Sequence, residues 1–365
     1  MKRFLIIVIT LFMSFISVKA EETVTLPSQT GVVQNLEYVD LSQNDIMQTK
    51  QVAGIKILSG DEKGKTITVD NMLTGNPSYD INLHKGTKVV LHVEVDDNGL
   101  IYSIEDIKRS GSLIWLTAIF CGLLIYVGKK KGLSSLVAII LTCFLIFHVL
   151  SPLILFGINP VIATVLICLL STAITMYLVG GFNKKSTAAT IGCILSLIIA
   201  GILSFITVKT ASLTGFSNEH SMFLYSAHPE LNFVAIIVST MMLATLGAVM
   251  DVGMSIASTI NEIYTVDNTK SVKELFDCGM NVGKDIIGTM ANTLILVYLG
   301  GSLPLLLLAS NIDPQKFFNL NQVVTEIASA LIGSCAIVIC VPITAIVASE
   351  LIKRINEYDF SKLKD

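Results

Sequence analysis

The sequence predicts an α-helical polytopic membrane protein, about seven spans behind a small N-terminal β domain. Three observations carry that prediction. Long apolar runs fill the chain from Ser112 onward. Charge is scarce: 15% of the 365 residues are charged and 52% hydrophobic, where soluble domains carry about 25% charged residues. The charge is also segregated, because residues 21–110 have the composition of a soluble domain and the later charges sit in short loops.

The elements follow in chain order. Lys2 and Arg3 precede an apolar stretch from Phe4 to Ile16, then Ser17-Val18-Lys19-Ala20. A basic start, a short apolar core and a small-residue site make residues 1–20 a signal peptide, cut after Ala20. The run is shorter than the roughly 20 residues a span needs. An uncleaved anchor would leave the later topology unchanged.

Residues 21–110 form the predicted extracytoplasmic domain. Strands are expected at 51–58, 64–70, 87–95 and 100–107. Val89, Leu91, Val93 and Val95 alternate with polar neighbours, the period of a half-buried strand. Asp97-Asn98-Gly99 between two such runs marks a hairpin. Four or five short strands make a small barrel or open sheet, with an OB-like fold as one form of it. His84 and His92 read as surface histidines.

Residues 111–350 form the predicted transmembrane domain, with spans near 112–128, 132–155, 161–180, 187–208, 231–250, 286–309 and 323–348, and a tail at 351–365. Only helices satisfy their own backbone in lipid, so the spans are helices. With 21–110 outside, the inner segments hold twelve cations: Lys129, Lys130, Lys131, Lys184, Lys185, Lys270, Lys273, Lys284, Lys353, Arg354, Lys362 and Lys364. The outer loops hold Lys209 and Lys316 alone. The positive-inside rule therefore places the β domain outside the cell membrane and the C-terminus in the cytoplasm.

Composition also excludes classes. A net charge of −3 gives no basic face for nucleic acid. The seven cysteines include no CxxC pair and none lies in 21–110, so no extracytoplasmic disulfide is expected. Walker A, HExxH, GxSxG and kinase signatures are missing, so neither an ATP-driven pump nor an enzyme is expected, and no cofactor. His148, the one histidine in a predicted span, reads as structural.

Two polar stripes are the candidate functional residues. Asp251, Ser255, Ser258 and Glu262 recur at one-face helical spacing, opposite Val252, Ile256, Ile260 and Ile263. Asn281, Asp285, Thr289 and Asn292 repeat the pattern and run into the sixth span. Polar groups in hydrocarbon are costly and generally face the bundle interior or a wet cavity. On that reading the two helices face one another and line one cleft open to the cytoplasm, with Asp251 or Asp285 as ion or proton partner. On the other, the acids are interfacial charges at helix ends and Asn and Thr act as structural glue. Gly279 and Gly283 form a GxxxG. Gly300-Gly301 with Pro304 is expected to interrupt the sixth span, and Pro342 the seventh, as broken helices do in transporters. Glu326, near the outer start of the seventh span, reads as an interfacial charge, with an outer gate as the alternative.

The chain resembles the YibE/F-like family of bacterial membrane proteins. The resemblance rests on Gly247-Ala248-Val249-Met250-Asp251 continuing to Ser255, Ser258 and Asn261-Glu262, and on Cys278-Gly279-Met280-Asn281-Val282-Gly283-Lys284-Asp285 continuing through Ile286-Ile287-Gly288-Thr289-Met290-Ala291-Asn292-Thr293-Leu294. Lys56-Ile57-Leu58-Ser59-Gly60, Lys63-Gly64-Lys65 and Leu73-Thr74-Gly75-Asn76-Pro77 resemble the family's extracytoplasmic part. The resemblance implies a multipass permease and brings no assigned site residues. The function expected is thus a secondary transporter of an unknown small solute. The alternative is an envelope receptor or assembly factor whose β domain binds a ligand or partner. The lipid bilayer is the expected partner; a homo-oligomer or a second membrane subunit stays open.

Overall fold

The computed structural model describes residues 27–40, 49–96 and 99–362. The predicted signal peptide, and Asp97 and Asn98 of the predicted hairpin turn, lie outside them. The chain divides into two compact units, Met1–Leu123 and Leu124–Asp365, taken in turn.

The first unit contains a five-stranded antiparallel sheet: β1 (Gln29–Asp40), β2 (Thr49–Ile57), β3 (Thr66–Leu73), β4 (Lys88–Asp96) and β5 (Gly99–Ile107). The order is β3-β2-β1-β4-β5, and the outer strands β3 and β5 approach one another. This is a small, nearly closed barrel, the first of the two forms expected. Ala53, Ile55 and Ile57 of β2 meet Val89, Leu91 and Val93 of β4 inside it, all buried. Leu83, from the β3–β4 connection, joins that core. Its amide donates to the buried Gln51 Oε1 at 3.3 Å, and Asn71 Nδ2 donates to the same oxygen at 2.8 Å. Asp96 pairs with Gly99, so the β4–β5 hairpin forms as expected. The alternation ends at Val95, which is 72% exposed.

The strand missed in the sequence is β1. A bulge between Val33 and Asn35 shifts its register, and Gly31 sits where a Cβ would strike Ile55. Both interrupt the period of two that announces a strand.

The 74–80 loop is held by one carboxylate. Asp80 accepts from the amides of Thr74 (2.7 Å) and Gly75 (2.8 Å) and from the Thr74 hydroxyl (2.9 Å). These bonds, the Thr74 amide first, hold the Asp80 carboxyl below the ordinary aspartate value of 3.8. A depressed carboxyl contributes order above its unfolded value, and that order is lost as pH falls through the folded one. Amide hydrogen exchange at Thr74 and Gly75, corrected for intrinsic rate, is therefore expected to accelerate below about pH 3.8 in the native protein. In Asp80→Asn it should already be fast at neutral pH. Equal protection of wild type and Asp80→Asn would remove this role.

The membrane unit is helical, and six helices of the described chain are long and apolar enough to cross a bilayer. They are α1 (Ser110–Leu155), which begins in the first unit, α2 (Pro160–Gly180), α3 (Lys184–Thr210), α5 (Phe233–Val266), α6 (Val272–Gly301) and α9 (Asn321–Lys362). Shorter helices α4 (Glu219–Ala227), α7 (Leu303–Leu308) and α8 (Pro314–Phe317) lie in the connections. The first two predicted spans are one element here, broken at Lys129 (φ 48°, ψ −125°). A Cβ on Gly132 would strike the Leu124 carbonyl. Residues eight apart on a straight helix stand about 12 Å apart, so α1 folds back at Lys129.

That backbone conformation suits glycine and strains lysine, typically by about 1–3 kcal/mol. Lys129→Gly is expected to raise thermal stability slightly. Lys129→Pro, whose φ is fixed near −65°, should lower it sharply. Melting of both variants in detergent decides.

Side-chain caps fix where the helices begin. Asn159 accepts from the Val161 amide ahead of α2, Asn183 from Ser186 ahead of α3, and Asn232 from Ala235 ahead of α5. Ser271 and Glu274 form a capping box at α6. The sixth predicted span stops at Gly301, as the Gly-Gly-Ser-Leu-Pro sequence demands. Pro342 does not interrupt α9, contrary to expectation. Packing against α3, α5 and α6 along its length outweighs the roughly 3 kcal/mol that an interior proline costs.

The core is the contact of α3, α5 and α9. Cys193 and Cys340 both donate to the Val249 carbonyl, at 3.3 and 3.6 Å, and are fully buried. They pack as small hydrophobes. Many buried hydroxyls bond back to their own helix: Ser196 to Gly192 O, Ser204 to Ala200 O, Thr245 to Met241 O and Ser349 to Ala345 O. Small polar residues thereby allow close helix approach without an interhelical partner.

Candidate functional site

Helix α5 runs unbroken for 34 residues, about 50 Å, longer than the hydrocarbon core. Its first stripe is therefore part of the same rod as the span. Val252, Ile256 and Ile260 are fully buried, while Asp251, Ser255 and Glu262 are exposed and Ser258 is half-buried. On α6 the buried positions are Leu275, Gly279 and Gly283, and Asn281, Asp285, Thr289 and Asn292 are all exposed.

The glycines explain how the two helices meet. A Cβ on Gly279 would lie 2.7 Å from Ile260 Cδ1, and one on Gly283 would lie 3.2 Å from Ile256 Cδ1. The α5–α6 contact is thus isoleucine into glycine. At about 100° per residue, both polar stripes stand on the opposite sides of their helices. They turn away from each other, and the single cleft expected between them does not form. Thr289 instead satisfies itself on the Ile286 carbonyl.

One of the eight residues does reach a cavity. Asp251 lines a space of about 330 Å³ between α1, α2 and α5. Ser135, Thr142 and Cys143 of α1 border it, with Thr175 and Met176 of α2 and Met254 of α5. The Thr142 and Ser171 hydroxyls hydrogen-bond at 2.9 Å beside it. No lysine, arginine or histidine lines it, so the carboxylate faces a mainly apolar space with hydroxyls as its polar company. Ser255, Ser258, Glu262, Asn281, Asp285, Thr289 and Asn292 do not line it.

A hydroxyl stripe on α2, of which Thr175 alone lines the cavity, was not among the candidates. Thr164, Ser171, Thr172 and Thr175 are spaced i, i+7, i+8 and i+11, one face of a helix. Thr164, Ser171 and Thr172 are fully buried, and the Thr164 and Thr172 hydroxyls have no hydrogen-bond partner. The signal was present as a hydroxyl stripe inside an apolar span. It carries no charge, so it does not interrupt the apolar run of α2. Among the described residues no three His, Cys, Asp or Glu side chains group as a metal site.

A family model of the YibE/F-like protein matches residues 116–354, and one of the YibE/F family N-terminal domain matches residues 27–107. The chain belongs to the YibE/F-like family. The first match ends with β5 at Ile107, and the second begins at residue 116, within the first turns of α1. The YibE/F-like membrane segment contains the whole Asp251 cavity, and the barrel lies in the N-terminal match. No curated protein and no solved structure matches the chain.

Proposed function

We propose that this YibE/F-like protein is a permease of the cell membrane, a secondary transporter whose small solute or coupling ion meets Asp251. The observation that carries the reading is the Asp251 carboxylate on a 330 Å³ cavity between three membrane helices, without a basic residue in the lining. An acid in such a place is expensive unless it binds a cation, a proton or water. The hydroxyls of Ser135, Thr142 and Thr175 supply both donors and acceptors for a small polar solute. The twelve-to-two distribution of Lys and Arg supports a cytoplasmic opening for this cavity and an extracytoplasmic barrel. Asp285, the other acid expected to serve, stands on the outer face of α6 and drops from the mechanism.

Untargeted metabolite and metal accumulation tests this, comparing cells that lack the protein, overproduce it, or overproduce Asp251→Asn. A solute whose level follows wild type and not the variant supports the permease. Identical profiles in all three remove it.

A receptor is the second reading, favoured by the apolar end of the β4–β5 hairpin, where Val95, Leu100 and Ile101 are exposed. Deleting residues 27–107 discriminates, since a receptor falls silent and a permease core keeps basal flux.

A further inference from the structure

At the end of the helical unit away from the Asp251 cavity lies a second pocket of about 210 Å³. It is built by the C-terminal turns of α6, by α7 and α8, and by the first turns of α9. Its walls are overwhelmingly apolar. Three aromatic side chains, Tyr298, Phe317 and Phe318, contribute to them. Phe317 is 3% exposed and stands edge-to-face on Phe318, with centroids 5.5 Å apart and planes at 79°.

Into this lining comes one acid, Glu326, with Tyr298 and Ser302 as polar neighbours. Glu326 makes no hydrogen bond or ion pair among the described residues, and no Lys, Arg or His lines the pocket. Lys316, beside Phe317, is exposed and not part of the lining. Nor does the helix terminus account for the acid, because Glu326 is the sixth residue of α9 and the macrodipole acts within the first turn.

Aromatic rings around a space with one carboxylate are the chemistry that recognises an alkylated ammonium. The ring quadrupoles attract a diffuse cation, the carboxylate neutralises it, and the apolar wall takes its methyl groups. We propose that the Glu326 pocket binds a compact alkylammonium group. The volume suits a headgroup-sized cation carrying a small apolar substituent. Such a group comes either from a soluble amine or from the headgroup of a zwitterionic lipid. The site is independent of the Asp251 cavity and of the permease reading.

The test uses the full chain, purified into nanodiscs of phosphatidylglycerol, with radiolabelled benzyltrimethylammonium as probe. Saturable binding is expected, weakened about tenfold or more in Glu326→Gln. Tyr298→Phe, which keeps the ring, should bind nearly as well as wild type, and Tyr298→Leu several-fold more weakly. Asp285→Asn should leave binding unchanged. The neutral isostere neopentylbenzene should compete poorly against the probe on wild type. That comparison decides the matter if Glu326→Gln does not elute as a monodisperse protein. Absence of saturable binding, equal affinity of wild type and Glu326→Gln, or equal competition by the neutral isostere overturns the proposal. Repeating the titration in phosphatidylethanolamine nanodiscs assigns the source. Displacement of the probe identifies a lipid headgroup as occupant, and undiminished binding identifies a soluble amine.

Discussion

If the chain is the permease proposed, Asp251→Asn is expected to lower solute flux by about tenfold or more, equivalent to at least roughly 1.4 kcal/mol of lost interaction. The substitution keeps the shape of the side chain and removes its charge and its ability to exchange a proton. The folded protein should survive, because the carboxylate faces a cavity and no basic partner lines that cavity. Removing an unpaired acid from apolar surroundings takes away a desolvation cost. Asp285→Asn is the control. Asp285 is an equally conspicuous acid on the neighbouring helix, but it stands opposite Gly279 and Gly283 and does not line the Asp251 cavity. Its substitution should change flux by less than about twofold, well under 1 kcal/mol. The pair is read in cells first and then, once the solute is known, in proteoliposomes with expression and monodispersity matched. Equal loss in both variants would point to a general electrostatic effect and against a site at Asp251.

Gly192→Leu is expected to be the most damaging substitution in the helical core. A Cβ at this position strikes the Thr344 hydroxyl and lies 2.9 Å from Thr344 Cβ and 3.0 Å from its Cα. The obstruction includes backbone, so no rotamer change relieves it, and α3 and α9 must separate. Overpacking usually costs about 1–3 kcal/mol and more where backbone must move. The separation would also break the packing of Cys193 and Cys340 on Val249. Loss of the monodisperse peak in fluorescence-detected size exclusion, or a fall of many degrees in melting temperature, is the expected result. Gly247→Leu provides the contrast, since a Cβ there meets nothing within 4 Å. Helix propensity alone favours that change by up to about 1 kcal/mol. Similar melting of the two variants would contradict the packing described here.

The helical faces were legible: Asp251, Ser255 and Glu262 share one, and Asn281, Asp285, Thr289 and Asn292 another. The partner of each face was not. Two amphipathic helices can meet through polar or apolar sides, and the choice fell to Gly279 and Gly283, which admit Ile260 and Ile256. The GxxxG spacing was visible, but which helix it receives depends on the whole bundle. The cavity was harder still, since Ser135 and Thr142, Thr175, and Asp251 come from α1, α2 and α5. Their convergence has no linear signal. The same holds for Glu326, whose aromatic neighbours lie on α6 and α8.

Periodicity and composition by themselves determined the class of molecule: a β unit, apolar helices long enough to cross a bilayer, four of the five strands and most helix starts. These follow from local physics. Backbone groups in hydrocarbon must bond within their own segment, Asn and Ser caps act over three residues, and strand alternation needs only nearest neighbours. Tertiary structure decided the rest: the reversal at Lys129, the continuity of α9 through Pro342, the outward turn of both stripes, and the assignment of Asp251 to the α1–α2–α5 cavity. Each of these depends on which surfaces fit together when all the helices pack at once. A glycine's missing Cβ settles that fit as firmly as any charge.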